Sequence, residues 1–408
     1  MWPLSYPTPM TKPLPLSHLK VLDVSQVMAG PFCCMLLGDM GADVVKVEPP
    51  HVGDQTRRSM GFKLKGTDSG GFLALNRNKR SIEIDLKSEA GLEAFYELVR
   101  TADVLIENNR PGVAARLKID YPVLQKINPR LVYASISGFG QTGPWSTRPG
   151  FDLIAQAMTG IMSVTGHPGG APAKNSVPVG DLGAGLFAAY AVLSAVQGRE
   201  RSGEGQYVDV SLFESALSLS IWEVAEYWGT DKVPTPIGSA NRMSAPYQAF
   251  RAADRHFVFG AANQKLWTAL CGVLERADLM DDARFATNTD RMKNREALVA
   301  EIEPTLAARP ADDWIAALLA AGVPAAPILT YAEALVSEQA EARDMVLEME
   351  HPVEGTIRQL GFPVKMCGTP QQLRHPPPLL GQHTEEIMRE AGCAEDVIER
   401  LRARGAFG

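Results

Sequence analysis

The stretch PVGDLGAGLFAAYAVLSAVQ, residues 178–197, holds a single acid, Asp181, set between Gly180 and Gly183 where a small-residue helix begins. The next charged residue is Arg199. A carboxylate at a helix mouth has two uses. It can cap, accepting a first-turn N–H. It can also react, kept ionised by the helix N-terminus, with flanking glycines leaving room for a bulky substrate. Spacing leaves both open. A second acid, Asp152 in FDLIAQAMTG, would meet Asp181 if their loops converge; on its own pattern it caps the helix beginning near Leu153.

Other chemistries find less support. The seven histidines (18, 51, 167, 256, 351, 375, 383) include no i,i+4 pair and there is no HExxH, so no metal site is expected. G-x-S-x-G is absent, which argues against a serine nucleophile elbow. Arg77, Lys79, Arg80, Lys87, Arg110 and Arg116 form a basic group in the first third. They are either a solvated surface or the partners of a nucleotide-like ligand's phosphates.

The elements that must position these residues alternate. Residues 19–25 (LKVLDVS), 43–48 (DVVKVE), 81–86, 103–107 (DVLIE) and 131–137 (LVYASIS) read as strands, with helical patterns between most of them. This predicts an α/β fold with a doubly wound, Rossmann-like parallel sheet, whose ligands bind at the carboxyl ends of the strands. The loops there are VMAGP, ENNRPG and SGFGQTG, whose glycine, asparagine and arginine suit an anionic ligand. No G-x-G-x-x-G follows the first strand, so a standard dinucleotide site is not expected. Residues 229–247, rich in Pro, Gly and Ser, read as a linker to a second unit of short strands and helices.

Bulk properties narrow the partners. With 408 residues, two domains are expected. A net charge of −7 argues against broad nucleic-acid binding. Five cysteines without a CxxC suit a reducing, cytoplasmic setting, and Cys33–Cys34 in an apolar run read as buried thiols. No run of 18 apolar residues occurs, so no membrane partner is expected. The proline-rich residues 1–16 read as a flexible leader.

Across residues 17–405 the ordered motifs LKVLDVSQVMAGPF, LGDMGADVVKVEPP with Gly53-Asp54, NRNKRSIEIDLKS, ADVLIENNRPG, NPRLVYASISGFGQTGP, GFDLIAQAMTG, VPVGDLGAG, SGEGQYVDVSL and PPPLLGQHT resemble the class III CoA-transferase family, CaiB/BaiF type. GSANRMSAPYQAF, VLEMEHP and RHPPPLLGQHT look most like its branch acting on succinate and hydroxymethylglutarate.

The resemblance implies transfer of CoA from an acyl-CoA such as succinyl-CoA to a free carboxylic acid, a dicarboxylate, with coenzyme A as co-substrate and no permanently bound cofactor. It makes Asp181 the nucleophile, passing through an aspartyl anhydride and an aspartyl-CoA thioester. It places coenzyme A against Met28, Ala29, Leu86, Lys87, Asn108, Asn109, Arg116, Ser137, Gly138, Phe139, Gly140 and Gln141, with Gln26 near the active site. It implies an interlocked homodimer. The large domain is formed by residues 17–225 and 345–408, and a smaller α+β domain by 240–330.

The racemase branch of the family is the alternative. Its members use a histidine in a G-H-D motif, where this chain has Gly150-Phe151-Asp152, and phenylalanine exchanges no proton. Members handling oxalate carry a glycine-rich lid where this chain has GSANRMSA, so oxalate is not expected.

Overall fold

The computed structural model describes residues 12–59 and 61–408. Six short segments pair in parallel: β1 (Lys20–Asp23), β2 (Asp43–Glu48), β3 (Lys79–Glu83), β4 (Val104–Glu107), β5 (Val132–Ser137) and β6 (Tyr207–Ser211). Strands buried on both faces are nearly continuous in apolar residues, and β1, β4 and β5 are of this kind. Their order is β3-β2-β1-β4-β5-β6. The winding reverses between β1 and β4, which opens a crevice beyond their carboxyl ends.

Each face has its own core. Helices Ala29–Asp39 and Val179–Ser202 cover one, with Cys33, Leu37, Ala184, Ala188 and Val192 inside. The other is covered by Glu89–Thr101 and by two C-terminal helices, Thr384–Glu390 and Glu395–Ala403, through Phe95, Leu98, Met388 and Leu401. The sheet is therefore finished by the end of the chain. Arg80 on β3 ties that end down, pairing with Asp43, Glu386 and Glu390 at 2.6–2.7 Å. His383 donates its N–H to the Ser81 carbonyl.

The chain divides into two units, one of residues 1–161, 174–228 and 339–408, the other of 162–173 and 229–338. The second unit is an antiparallel sheet, β7 (Tyr247–Arg251), β8 (His256–Gly260) and β9 (Ala325–Pro327). Helices that include Gln264–Leu274, Arg295–Leu306 and Ala311–Ala320 surround a core containing Phe257, Trp267 and Trp314. It is wider than the expected 240–330. Between helix Ile221–Thr230 and β7, residues 231–246 of the segment read as a linker have no helix or strand yet belong to this unit: Gly238 donates to the Gly166 carbonyl, and the Asn241 carboxamide accepts from the N–H groups of Met243 and Ser244. The return to the first unit opens with a hairpin, β10 (Val346–His351) and β11 (Gly355–Leu360).

Two expectations need correction. Residues 1–11 of the expected leader lie outside the described residues, and within the remainder Leu16 packs on the core and donates its N–H to the Met40 carbonyl, so residue 16 is not part of a flexible segment. Val179–Ser202 is long and apolar enough to cross a membrane by length and composition, with mean hydropathy 1.6, which a search for unbroken apolar runs missed. Half of that apolar window is buried inside the protein, as in a core helix.

Removing the Arg80 guanidinium should loosen the docked tail. Its carboxylate partners are partly exposed, so Arg80→Met is expected to cost about 1–2 kcal/mol, read from the urea unfolding midpoint.

Candidate active site

The crevice between β1 and β4 is floored by four buried ions. Lys46 Nζ lies 2.9 Å from Asp54 and 3.8 Å from Asp23; Lys79 Nζ lies 2.8 Å from Asp23; all four side chains are inaccessible to solvent. Each lysine also donates to a backbone carbonyl, Lys46 to Ser25 and Lys79 to Pro31. Burial alone would raise the Asp23 carboxyl, but Lys46 and Lys79 hold it down at about 2. Asp54 is lowered too, again because Lys46 outweighs burial.

Above this floor runs the loop from β1 to helix Ala29–Asp39. Val27 sits in the left-handed region at φ 72°, unfavourable for a β-branched residue. What holds it there is visible. Its N–H donates to both oxygens of Asp54, at 3.2 and 3.3 Å. Next to it, the Asn108 carboxamide grips Gln26 twice, accepting its N–H at 2.8 Å and donating to its carbonyl at 2.7 Å. Asn108 thus bridges the crevice as a strand would. The first-turn N–H groups of Ala29 and Gly30 are left uncapped at this edge.

Helix Val179–Ser202 brings Asp181 to the same place, because its glycines allow close approach on three sides. A Cβ at Gly185 would stand 2.8 Å from the Ala29 carbonyl oxygen. At Gly183 it would meet Leu219 at 3.0 Å, and at Gly180 the Asp152 carboxylate at 3.1 Å. The space beside Gly180 and Gly183, expected to be left for substrate, is used for packing. Asp181, one turn before Gly185, therefore stands beside the start of helix Ala29–Asp39. Gly138 and Gly150 meet backbone to backbone, tying the loop after β5 to the segment that carries Asp152.

Asp181 is not the helix cap. It is the third residue of the helix, Pro178 is the N-cap position, and no side chain of the segment itself caps. The cap comes from elsewhere: Asp152 Oδ1 accepts the Gly180 N–H at 2.9 Å, and Oδ2 accepts from Gln156 at 2.7 Å. Asp152 opens its own helix, Asp152–Met158, without capping it. The two carboxylates do converge. Among the described residues, none makes a hydrogen bond or ion pair with the Asp181 side chain. Burial first, and the charge of Asp152 second, push its carboxyl up to about 7. A first-turn position favours a carboxylate by only about 0.3–1 kcal/mol, too little to offset a shift of this size. An ionised Asp181 is thus a basic, half-buried and unpartnered carboxylate, a state suited to attack on carbon.

The other expected residues divide. Gln26, Met28, Ala29, Asn108, Asn109 and Ser137 to Gln141 all lie at the carboxyl edge of the sheet. Ser137 Oγ accepts the Gly140 N–H, and Gln141 donates its N–H to Asp209 and its amide to Ser135. Phe139 is engaged by Trp145 and Phe213. Leu86 leans on the core, while Lys87 and Arg116 are exposed. The basic group breaks apart. Arg77 is paired to Asp39, Lys79 to Asp23 and Arg80 to three carboxylates, and these three cations are buried, so within the group Lys87, Arg110 and Arg116 are the exposed ones. Sequence reading named Asp54 only within a motif, missed Lys46, and expected Asp152 to cap its own helix instead of the one that carries Asp181. A lysine inside the apolar strand DVVKVE was the available signal. No group of three or more metal-ligating side chains occurs among the described residues.

Comparison with known proteins gives the family and the fold. The sequence model of CoA-transferase family III matches residues 16–384. A Mus musculus succinyl-CoA:glutarate CoA-transferase is 38% identical, over 96% of this chain and 90% of that protein. An Acetobacter aceti acetyl-CoA:oxalate CoA-transferase is 40% identical, over 95% and 98%. The crystal structure of a CAIB/BAIF family protein from Brucella suis superimposes with a TM-score of 0.82 at 36% identity, covering 93% of this chain and all of that one.

Two variants probe the site's physics. In the unfolded chain Asp181 titrates near the ordinary carboxylate value; in the folded protein it titrates near 7. Its contribution to stability is full below the lower value and is lost as pH rises through the higher. Asp181→Asn should therefore gain on the parent protein at pH 8 and match it near pH 4. The full shift corresponds to roughly 4 kcal/mol, and partial exposure reduces the expected gain to about 1–2 kcal/mol. An equal difference in melting temperature at both pH values would refute the raised carboxyl. Gly185→Ala should cost about 1–3 kcal/mol by driving a methyl into the Ala29 carbonyl, and should lower activity more than stability alone explains.

Proposed function

The chain belongs to CoA-transferase family III, and we propose that it carries CoA from succinyl-CoA to a free dicarboxylic acid with Asp181 as the covalent nucleophile. The observation that carries this reading is the state of Asp181: a half-buried carboxylate without hydrogen bond or counter-ion among the described residues, beside the open end of helix Ala29–Asp39.

The proposed chemistry is a series of exchanges between anions. Asp181 Oδ attacks the thioester carbonyl and the C–S bond breaks, giving a mixed anhydride and CoA thiolate. The thiolate attacks the aspartyl carbonyl, freeing the donor acid and leaving an aspartyl-CoA thioester. The acceptor carboxylate attacks that thioester to form a second anhydride, and the returning thiolate attacks its acyl carbonyl, restoring Asp181. No proton moves in any step, so the nucleophile needs no acid–base partner, and Asp181 has none. What it needs is a carboxylate that gains by giving up its charge, and formation of the anhydride transfers that charge from half-buried Asp181 to the CoA thiolate. The tetrahedral oxyanions need N–H donors, for which the uncapped Ala29 and Gly30 are suited.

This reading keeps the expected coenzyme A contacts: Met28 and Ala29 at the helix start, Leu86, Asn109 and the Ser137 to Gln141 loop, and Lys87 and Arg116 as exposed phosphate partners. Asn108 is a support for Gln26 in this reading. The racemase alternative would need a proton-exchanging group at Phe151, and its side chain has none. The two curated relatives named above act, by their names, on glutarate and oxalate. Both are dicarboxylates, which supports a dicarboxylate here and places oxalate in the acceptor panel despite the GSANRMSA segment. Leu186, Tyr190, Ile221, Trp222 and Trp228 expose apolar surface on helices Val179–Ser202 and Ile221–Thr230, which supports a homodimer that buries it.

Asp181→Ala should lose CoA exchange between succinyl-CoA and dicarboxylates by roughly 10³-fold or more. Hydroxylamine added during turnover should leave a hydroxamate on Asp181, seen by peptide mass spectrometry. Because the ionised form attacks, kcat/KM should rise with pH and level off above about 7. Full activity in Asp181→Ala, or exchange of the α-proton with deuterated water in the absence of any acceptor acid, would overturn the assignment.

A further inference from the structure

The start of helix Val179–Ser202 is held by a side chain that takes no part in the proposed transfer steps. Gln156, on helix Asp152–Met158, is 0% exposed. Its carboxamide makes three hydrogen bonds. Nε2 donates to Asp152 Oδ2 at 2.7 Å and to the Asn175 carbonyl at 3.2 Å, and Oε1 accepts the Asn175 N–H at 2.8 Å. Both N–H groups of the amide are thereby spent. The partners also determine its orientation. Turned over, the amide would set its oxygen against the Asp152 carboxylate and the Asn175 carbonyl, and its NH₂ against the Asn175 N–H.

These bonds join two parts that each bear on Asp181. One is Asp152, whose other oxygen accepts the Gly180 N–H at 2.9 Å. The second is the chain leading into the helix. Residues 174–177 are exposed and have no helix or strand. Gln156 grips this stretch through the backbone of Asn175, whose side chain in turn accepts the Val177 N–H at 3.0 Å. Exposed irregular backbone opens readily unless it is tied, and Asp181 lies in the helical turn that follows. An apolar side chain of similar length at 156 would leave Asp152 with one of its two donors and would untie the approach.

We propose that Gln156 is a positioning residue for CoA transfer: its carboxamide fixes the Asp152 carboxylate and the approach to helix Val179–Ser202 against one another, and so fixes where Asp181 stands relative to Asp152. The inference rests on Asp181 as the nucleophile. Its consequence for ionisation follows from the same geometry. The charge of Asp152 adds to burial in pushing the Asp181 carboxyl up to about 7. Of the other acids on the helices packed here, Asp39 pairs with Arg77 and Glu214 accepts from the Ser211 hydroxyl. Once Gln156 no longer holds it, Asp152 acts less on Asp181, which then ionises at lower pH.

The test follows entry of isotopically labelled succinate into succinyl-CoA across a range of pH, for the full-length parent and two variants checked for folding by circular dichroism. In Gln156→Met, kcat should fall about 10–100-fold, KM for succinyl-CoA should stay within about threefold, and the pH midpoint of kcat/KM should move below that of the parent. Gln156→Glu keeps the shape and carries the test if Gln156→Met does not fold. Its new carboxyl shares a proton with Asp152 and donates as the amide does; when that proton leaves, two like charges face each other. Its kcat relative to the parent should therefore be highest at low pH and fall as pH rises. Unchanged kcat in folded Gln156→Met, a lower kcat with the pH midpoint unmoved, or a pH-independent ratio of Gln156→Glu to parent would overturn the role of Gln156. Hydroxylamine keeps this apart from the reading beneath it: a parent protein that exchanges no label, or gains no hydroxamate on Asp181 during turnover, fails as an Asp181 transferase, whereas a labelled Asp181 in the parent with any of the three results above removes Gln156 alone.

Discussion

The site depends on the buried quartet Asp23, Lys46, Asp54 and Lys79. Two positive and two negative charges, all inaccessible to solvent, lie beneath the crevice where the sheet reverses its winding. Such a set is costly to bury and gives little net stability compared with an apolar core, yet removing one member leaves an uncompensated charge that costs about 3–5 kcal/mol. Its return lies in placement. Asp54 fixes Val27 at a positive φ, Lys46 holds the Ser25 carbonyl, and Lys79 reaches the first turn of helix Ala29–Asp39 at the Pro31 carbonyl. The loop carrying Gln26 and Met28 is thus set by ions beneath it and by Asn108 beside it.

A second constraint acts from the other side. Helix Val179–Ser202 approaches its neighbours so closely that a Cβ at 185 would overlap the Ala29 carbonyl, and one at 180 or 183 would press on Asp152 or Leu219. This is the physical content of a sequence that looks merely small and apolar. Close packing lets Asp152 reach the Gly180 N–H, and the same reach brings its charge near Asp181. One hydrogen bond therefore both fixes the start of the helix and raises the basicity of the acid it carries.

How much of this was legible in the sequence follows from the range of each interaction. The alternation of apolar runs and helical patterns predicted the parallel sheet, because strands and helices are written in local periodicity. Asp181 stood out because glycines surrounded it. The capping role of Asp152 was not legible, since its partner lies 28 residues away and the local pattern pointed to its own helix. The basic group was misread for a related reason. Arg77, Lys79 and Arg80 look like a surface in sequence, and only the fold shows Asp39, Asp23 and Asp43 waiting for them. The span of 229–247 was misread because proline and glycine signal irregular backbone, and irregular backbone held by side chains such as Asn241 looks the same in sequence as a loose linker.

Asp54 and Asp181 show how one fold gives two carboxylates opposite characters. Both serve the carboxyl edge of the sheet; Asp54 is buried and Asp181 half-buried. Asp54 has Lys46 at 2.9 Å and accepts N–H groups from Val27 and Thr56, so its charge is stabilised and its oxygens are occupied. Asp181 has a like charge nearby and no donor, so its charge is held at a cost. The first arrangement makes a strut, because an oxygen satisfied by strong bonds has no reason to leave them. The second suits the nucleophile proposed for Asp181, because forming a covalent bond to carbon would pass on the charge that its surroundings do not stabilise. The absence of a lysine beside Asp181 is therefore as much a part of the site as the presence of one beside Asp54.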